Sequence, residues 1–258
     1  MKKIFFLSII NISVFITSCK KELDQKPLSS ATTETFYRSP SDFLQATNAV
    51  YQSLHDYPVR LANLSEIRSD NIYGVSVTVR DWDPINDFSP GIAANAYVEE
   101  AWSADFNGIF KANTLLDQLN KNGSYVGSDA LATRFQAEAR FLRAFFYFDL
   151  VRYFGKVPLI DHPLTPTESN TVGRSAVADV YQLIISDLQF AIEHLPTTYF
   201  FDNDNTAKSV DVGRATKYAA EAELALVYMT RSGPTYGIEG PGLGLNEWSL
   251  AVPLLDDI

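Results

Sequence analysis

The chain has 258 residues with 31 acidic and 21 basic side chains, a formal charge of −10, one cysteine, three histidines and a 46 % apolar share. An acidic surface disfavours polyanionic partners, which argues against nucleic acid and anionic lipid, and a lone cysteine excludes a disulfide-held fold. His55, His162 and His194 have no partners at metal-ligand spacing, and no phosphate loop, nucleotide fingerprint or nucleophile elbow is present. No cofactor or metal is therefore expected.

Lys2 and Lys3 form a positive start, Ile4 to Ile16 a mostly apolar run, and Thr17-Ser18 a small-residue boundary, which together predict a secretory signal over residues 1–18. Asn11 and Ser13 interrupt the run, and it falls short of the ~20 residues that cross a bilayer core. Ile16-Thr17-Ser18-Cys19 resembles the bacterial lipobox, which implies cleavage before Cys19 and acylation of its thiol. The alternative is an ordinary signal peptide followed by an incidental cysteine. Two or more acyl chains anchor a protein firmly without spanning the membrane. Residues 19–40 then form a charged tether and lead-in segment. Loss of Lys2 and Lys3 with the signal takes the formal charge from −10 to −12.

Apolar residues at helical spacing predict a first helix from Ser41 to Tyr57, with Ser41 as N-cap and Pro58 as its end. From Val59 to Pro90 the period disappears and turn residues dominate. A second helix is predicted from Ala94 to Leu119, with Trp102, Phe106, Ile109, Phe110 and Leu115 on its apolar face and Asn122-Gly123 as its stop.

The third helix, Asp129 to Phe154, is closed by Gly155. Steps of about 100° per residue place Phe141, Ala144, Phe145, Phe148 and Val151 on one stripe, and Leu142, Phe146, Leu150 and Tyr153 on a roughly opposite one. A helix with two apolar sides is expected between two neighbours, as in a stacked array. The narrow polar stripes between them carry Arg140, Arg143 and Tyr147 on one side and Glu138, Asp149 and Arg152 on the other. Their arginines are expected to form ion pairs, Asp149 with Arg152 among them.

Val177 to Leu195 alternates at three and four residues and predicts a fourth helix over 176–195, stopped by Pro196. An alanine-rich fifth is predicted over 214–231. A glycine-rich run from Gly237 to Gly244 breaks the chain before a sixth helical segment from Trp248. No cap or basic last turn follows Asp256-Asp257-Ile258, so the natural fold is expected to continue past residue 258, the alternative being a truncated gene product. The expected class is all-α: stacked antiparallel helical pairs, tetratricopeptide-like, with long irregular loops.

Several segments, in order along the chain, resemble the SusD/RagB family of outer-membrane nutrient-binding lipoproteins. They are Trp102 with Ile109 to Asp117, Ala137 to Ala144 running on to Tyr147-Phe148-Asp149-Leu150-Val151, and Phe154-Gly155-Lys156-Val157-Pro158-Leu159. Asp187-Leu188, Leu195-Pro196 and Gly213-Arg214-Ala215-Thr216-Lys217 complete the set. The resemblance implies a non-enzymatic lipoprotein on the outer face of an outer membrane, with a SusC-like TonB-dependent transporter as partner and a glycan or peptide as ligand. It also implies that residues 41–258 are the helical part of a longer protein, whose remainder completes the site and covers apolar helix faces.

Sugar recognition needs an aromatic face and amides or carboxylates for hydroxyls. The turn-rich stretch from Asn71 to Asp87 has this mixture, so Trp82 is expected as a stacking platform, Asp81 or Asp83 as hydroxyl acceptors, and Asn71 and Tyr73 as nearby contacts. The alternative, that Trp82 turns inward and anchors the loop, stays open on the sequence. Glu99-Glu100, Asp256-Asp257 and Glu221/Glu223 are carboxylate pairs of the kind glycoside hydrolysis uses, but they are expected on solvated helix faces. A helical-repeat adaptor for a protein or peptide is the second functional reading.

Overall fold

A computed structural model describes residues 33–69, 71, 72, 80–199 and 211–258. Cys19, the signal, Tyr73 and the tether as far as residue 32 lie outside the described residues. Among those described, the regular structure is helical with no strand.

A single turn, α1 (Thr33–Phe36), belongs to a unit ending at Tyr37, and everything that follows concerns residues 38–258. Helix α2 spans Pro40–Tyr51, with Ser39 as N-cap and Pro40 in its first turn. That places the cap two residues before the expected Ser41, because proline's fixed φ suits the first helical position. The helix tightens into a 3-10 turn at Gln52–Leu54, and Pro58 does not end it. Instead Pro58 opens α3 (Tyr57–Leu61), which runs into a π-helical turn at Ala62–Glu66. A proline stops a helix only where its missing N–H and its ring would meet a preceding turn, and here no helical turn precedes it directly. The expected irregular stretch thus begins later, and it also holds α4 (Asp83–Asn86).

The long helices follow the sequence closely: α5 (Ala96–Asn122), α6 (Asp129–Phe154), the single turn α7 (Pro166–Ser169), α8 (Val177–His194), α9 (Lys217–Arg231) and α10 (Trp248–Asp256). Asn95, Ser128 and Thr216 cap α5, α6 and α9 by accepting from backbone N–H groups one turn in. Helix α6 packs against α5 on one side and α8 on the other, α2 lies on α5 and α6, and α9 packs on both α8 and α10. The result is an array of stacked helical pairs of tetratricopeptide type.

Both apolar stripes of α6 are buried, Ala144, Phe148 and Val151 on one and Leu142, Phe146 and Leu150 on the other. At the α5/α6 crossing, a Cβ on Gly108 would enter the Phe146 ring, so only glycine allows this approach. Phe110 departs from the expected apolar face and is exposed, one step round from the buried Ile109.

The polar stripes of α6 are buried too. Arg143 makes a bidentate pair with Asp187 of α8 (Nε to Oδ2 2.7 Å, Nη2 to Oδ1 2.9 Å) and also donates to Asn113 Oδ1 and the Asp161 carbonyl. The Tyr147 hydroxyl donates to the Ile160 carbonyl at 2.9 Å and accepts the Ile160 N–H at 2.6 Å, and Asn113 Nδ2 donates to the same carbonyl. Arg214 reaches Glu138 at 2.6 Å and Asn48, while the Ala215 N–H donates to the Tyr51 hydroxyl. Many polar residues that carry the family resemblance therefore do scaffold work, tying the 158–161 and 211–215 segments to the helices. Glu221 and Glu223 do not lie on a solvated face: Glu221 is buried beside Lys217, and burial pushes Glu223 up to about 7 because α9 packs on both sides. Glu99 and Glu100 are exposed as expected.

Candidate functional site

The irregular segment between α3 and α5 is built around Ile85. Ile85 is 0 % exposed and packs with Leu64 and Ala101, with Ile92, Tyr97, Val98 and Tyr153 around them. Asn86 Nδ2 donates to the Ile67 and Ile72 carbonyls, and Asn95 Nδ2 donates to the Asp81 carbonyl, so two amides hold the loop at both ends.

Within that frame the sequence-predicted residues separate. Trp82 is half-buried, and the Arg80 guanidinium lies 4.6 Å from its ring centroid. The inward anchor is Ile85, which leaves Trp82 partly open. Asp81 is exposed. Asp83 sits in the first turn of α4, where its carboxylate accepts the Arg80 N–H at 2.7 Å and is occupied locally. Asn71 is exposed, its N–H donating to Ser69 Oγ. Tyr73 lies outside the described residues.

Next to this loop is a cleft of about 450 Å³ that the sequence did not reveal. Its walls are Leu64 and Ser65 from the π-helical turn, Arg68 and Ser69 just after it, Phe88 after α4, and Arg152 and Tyr153 from the end of α6. Phe88 is 61 % exposed and has φ +51°, a left-handed conformation that bulky residues avoid. Arg68 lies over its ring at 4.6 Å. Burial, and then the nearby Asp149 charge, push the Tyr153 phenol up to about 12, so it stays a neutral donor, and it shares a hydrogen bond with Ser65. Most of these residues fall in the stretch from Val59 to Pro90 that reads as irregular, and no sequence pattern joins them to the last turn of α6.

The floor of the cleft leads into a buried ionic cluster. Arg152 donates to Asp149 Oδ1 at 2.8 Å and to the Tyr57 hydroxyl, over the Phe148 ring. Arg60 donates to Asp105 Oδ1 at 3.1 Å. Asp105 and Asp149 are fully buried and interact with each other, and beyond the arginine contacts the second carboxylate oxygen of each has no other hydrogen-bonding group. Burial first, and then the Asp149 charge, push Asp105 up to about 8, so one proton is shared by the pair at neutral pH. Among the described residues no three histidines, cysteines or carboxylates are grouped to hold a metal ion, and no described helix is long and apolar enough to cross a membrane.

The SusD-like family, described as starch-binding and associating with the outer membrane, matches residues 21–229. The SusD-like protein P25 of Formosa agariphila is 28 % identical over 242 residues, covering 86 % of this chain and 43 % of that protein. A solved laminarin-binding SusD-like protein is 30 % identical, with a TM-score of 0.59 over 75 % of this chain and 40 % of its own. A structure solved with a xylogluco-oligosaccharide is 26 % identical, with a TM-score of 0.63 over 83 % and 39 %. The chain spans about two fifths of the length of the curated relatives it matches. With a family match over most of its length, on an all-helical fold shared with solved SusD-like proteins, the chain belongs to the SusD/RagB family.

Proposed function

We propose that the protein is a non-enzymatic cell-surface lipoprotein that captures oligosaccharide and hands it to a SusC-like TonB-dependent transporter, with Cys19 carrying its lipid anchor in the outer membrane. The family match over residues 21–229 carries this reading, since that family is described as starch-binding and associated with the outer membrane. The laminarin-binding relative and the relative solved with a xylogluco-oligosaccharide support a glycan as the ligand. Capture needs shape, stacking and hydrogen bonds, with no bond made or broken. In the candidate loop, Trp82 supplies the apolar platform and exposed Asp81 the hydroxyl acceptor, with Asn71 at the edge. Asp83 is the weaker acceptor because its carboxylate already accepts the Arg80 N–H.

Isothermal titration against a panel of neutral polysaccharides tests this directly. Trp82→Ala should weaken the binding of the best neutral ligand by about tenfold or more, the scale of one lost stacking and burial contact. Circular dichroism should show unchanged helicity, because Ile85 holds the loop. If no glycan bound while the transporter barrel still co-purified, an adaptor role would replace glycan capture.

A further inference from the structure

We infer that the cleft between the Ala62–Glu66 turn, Phe88 and the end of α6 selects anionic saccharides, taking a carboxylate or sulfate ester on a sugar ring against Arg68. This rests on the reading of the chain as a glycan receptor and names the class of glycan. A neutral sugar is held by an aromatic face and by groups that match its hydroxyls. The cleft has both, in Phe88 and in the Ser65 and Tyr153 hydroxyls, and it adds a cation, Arg68.

Arg68 is exposed and pairs with no carboxylate among the described residues. Its guanidinium lies over the Phe88 ring, 4.6 Å from the centroid, a contact that helps to pre-orient it for a two-oxygen anion. Phe88 holds this position on a left-handed backbone, and such strain persists where the surroundings fix a side chain in place. Behind it, Arg152 brings a second guanidinium to the wall.

Of the acids below, Asp149 neutralises Arg152 in a 2.8 Å ion pair, Asp105 keeps a proton at neutral pH while facing Arg60, and burial pushes Glu223 up to about 7, so none of them pairs with Arg68, which carries the charge of the site. Glu66 and Asp87 are neighbours in sequence but do not line the cleft. A local positive site thus stands in a chain whose formal charge is −10. A low-dielectric wall strengthens its attraction for an anion.

The test is calorimetric titration of the full chain with size-matched oligosaccharides: a neutral laminari-oligosaccharide, an oligogalacturonate and a sulfated galacto-oligosaccharide. At least one anionic ligand should bind about tenfold more tightly than the neutral one. That preference should shrink as salt is raised, vanish in Arg68→Gln and persist in part in Arg68→Lys. Which anionic ligand binds better identifies carboxylate or sulfate. Neutral binding equal to or tighter than both anionic ligands overturns the inference, as does a preference that survives Arg68→Gln. In either case intact neutral binding leaves the receptor reading standing. Failure of all three ligands also overturns the anion inference, and the neutral panel above then decides the receptor reading separately.

Discussion

Replacing Asp105 with asparagine should remove a large pH dependence from the stability of the fold. Asp105 is fully buried between Arg60 and Asp149, and its pKa rises from 3.8 to about 8. A carboxyl whose folded pKa lies above its unfolded value binds its proton more tightly in the folded state. Its contribution is therefore complete below the unfolded pKa and is lost as pH rises through the folded one. Between pH 5 and pH 9 this group alone withdraws about 4 kcal/mol, at 1.36 kcal/mol per pH unit. That is a large part of the ~5–15 kcal/mol that holds a typical domain together. In Asp105→Asn the side-chain oxygen still accepts from Arg60, and the amide takes the place of the shared proton in donating to Asp149. Urea unfolding followed by circular dichroism at pH 5, 7 and 9 reads the effect. The variant should match the wild type within about 1 kcal/mol at pH 5 and exceed it by a few kcal/mol at pH 9. Glu223 and the more distant acids titrate in both proteins, so the difference between the two curves reports the Asp105–Asp149 pair. Parallel curves would refute the shared proton.

Two stability predictions concern the helix crossings. Arg143→Met takes the bidentate partner from buried Asp187, leaving it only the 3.7 Å contact with Arg140, and should cost up to about 3–5 kcal/mol, whereas the double change Arg143→Met, Asp187→Leu should recover part of the loss; chemical denaturation that ranks the double variant below the single one would contradict this. Gly108→Ala should cost about 1–3 kcal/mol by overpacking Phe146, yet become neutral or slightly stabilising in a Phe146→Leu background, where helix propensity favours alanine. An equal penalty in both backgrounds would show that the ring is not the obstacle.

Helix α6 shows how much of this protein is local. Ser128 offers a side-chain acceptor at the start, Gly155 tolerates φ +65° at the end, and the run between them keeps a helical period, so its bounds of Asp129 and Phe154 could be read without a structure. Its two apolar stripes also announced a helix buried on opposite sides. That reading needs only the angle between successive residues, which every α-helix shares. The Cys19 lipobox is equally local, being a short linear pattern, and it stands as an expectation on the sequence alone.

What the sequence left open depends on distances between residues far apart in the chain. Pro58 reads as a stop, yet it opens a helix because the chain had already turned at Gln52–Leu54. Glu221 and Glu223 read as solvated, yet packing on both sides of α9 buries one and shifts the other. Trp82 stood out by its side chain, whereas the cleft beside it is assembled from Ser65, Arg68, Phe88 and Tyr153, which share no period and no motif. The sequence by itself determined the long helices and most of their apolar faces, and it carried the family resemblance, because propensity, capping and periodicity act over a few residues. Only the tertiary structure decided which buried charges pair and where the cleft opens, because those follow from the path of loops that bring residues 65, 88 and 153 together.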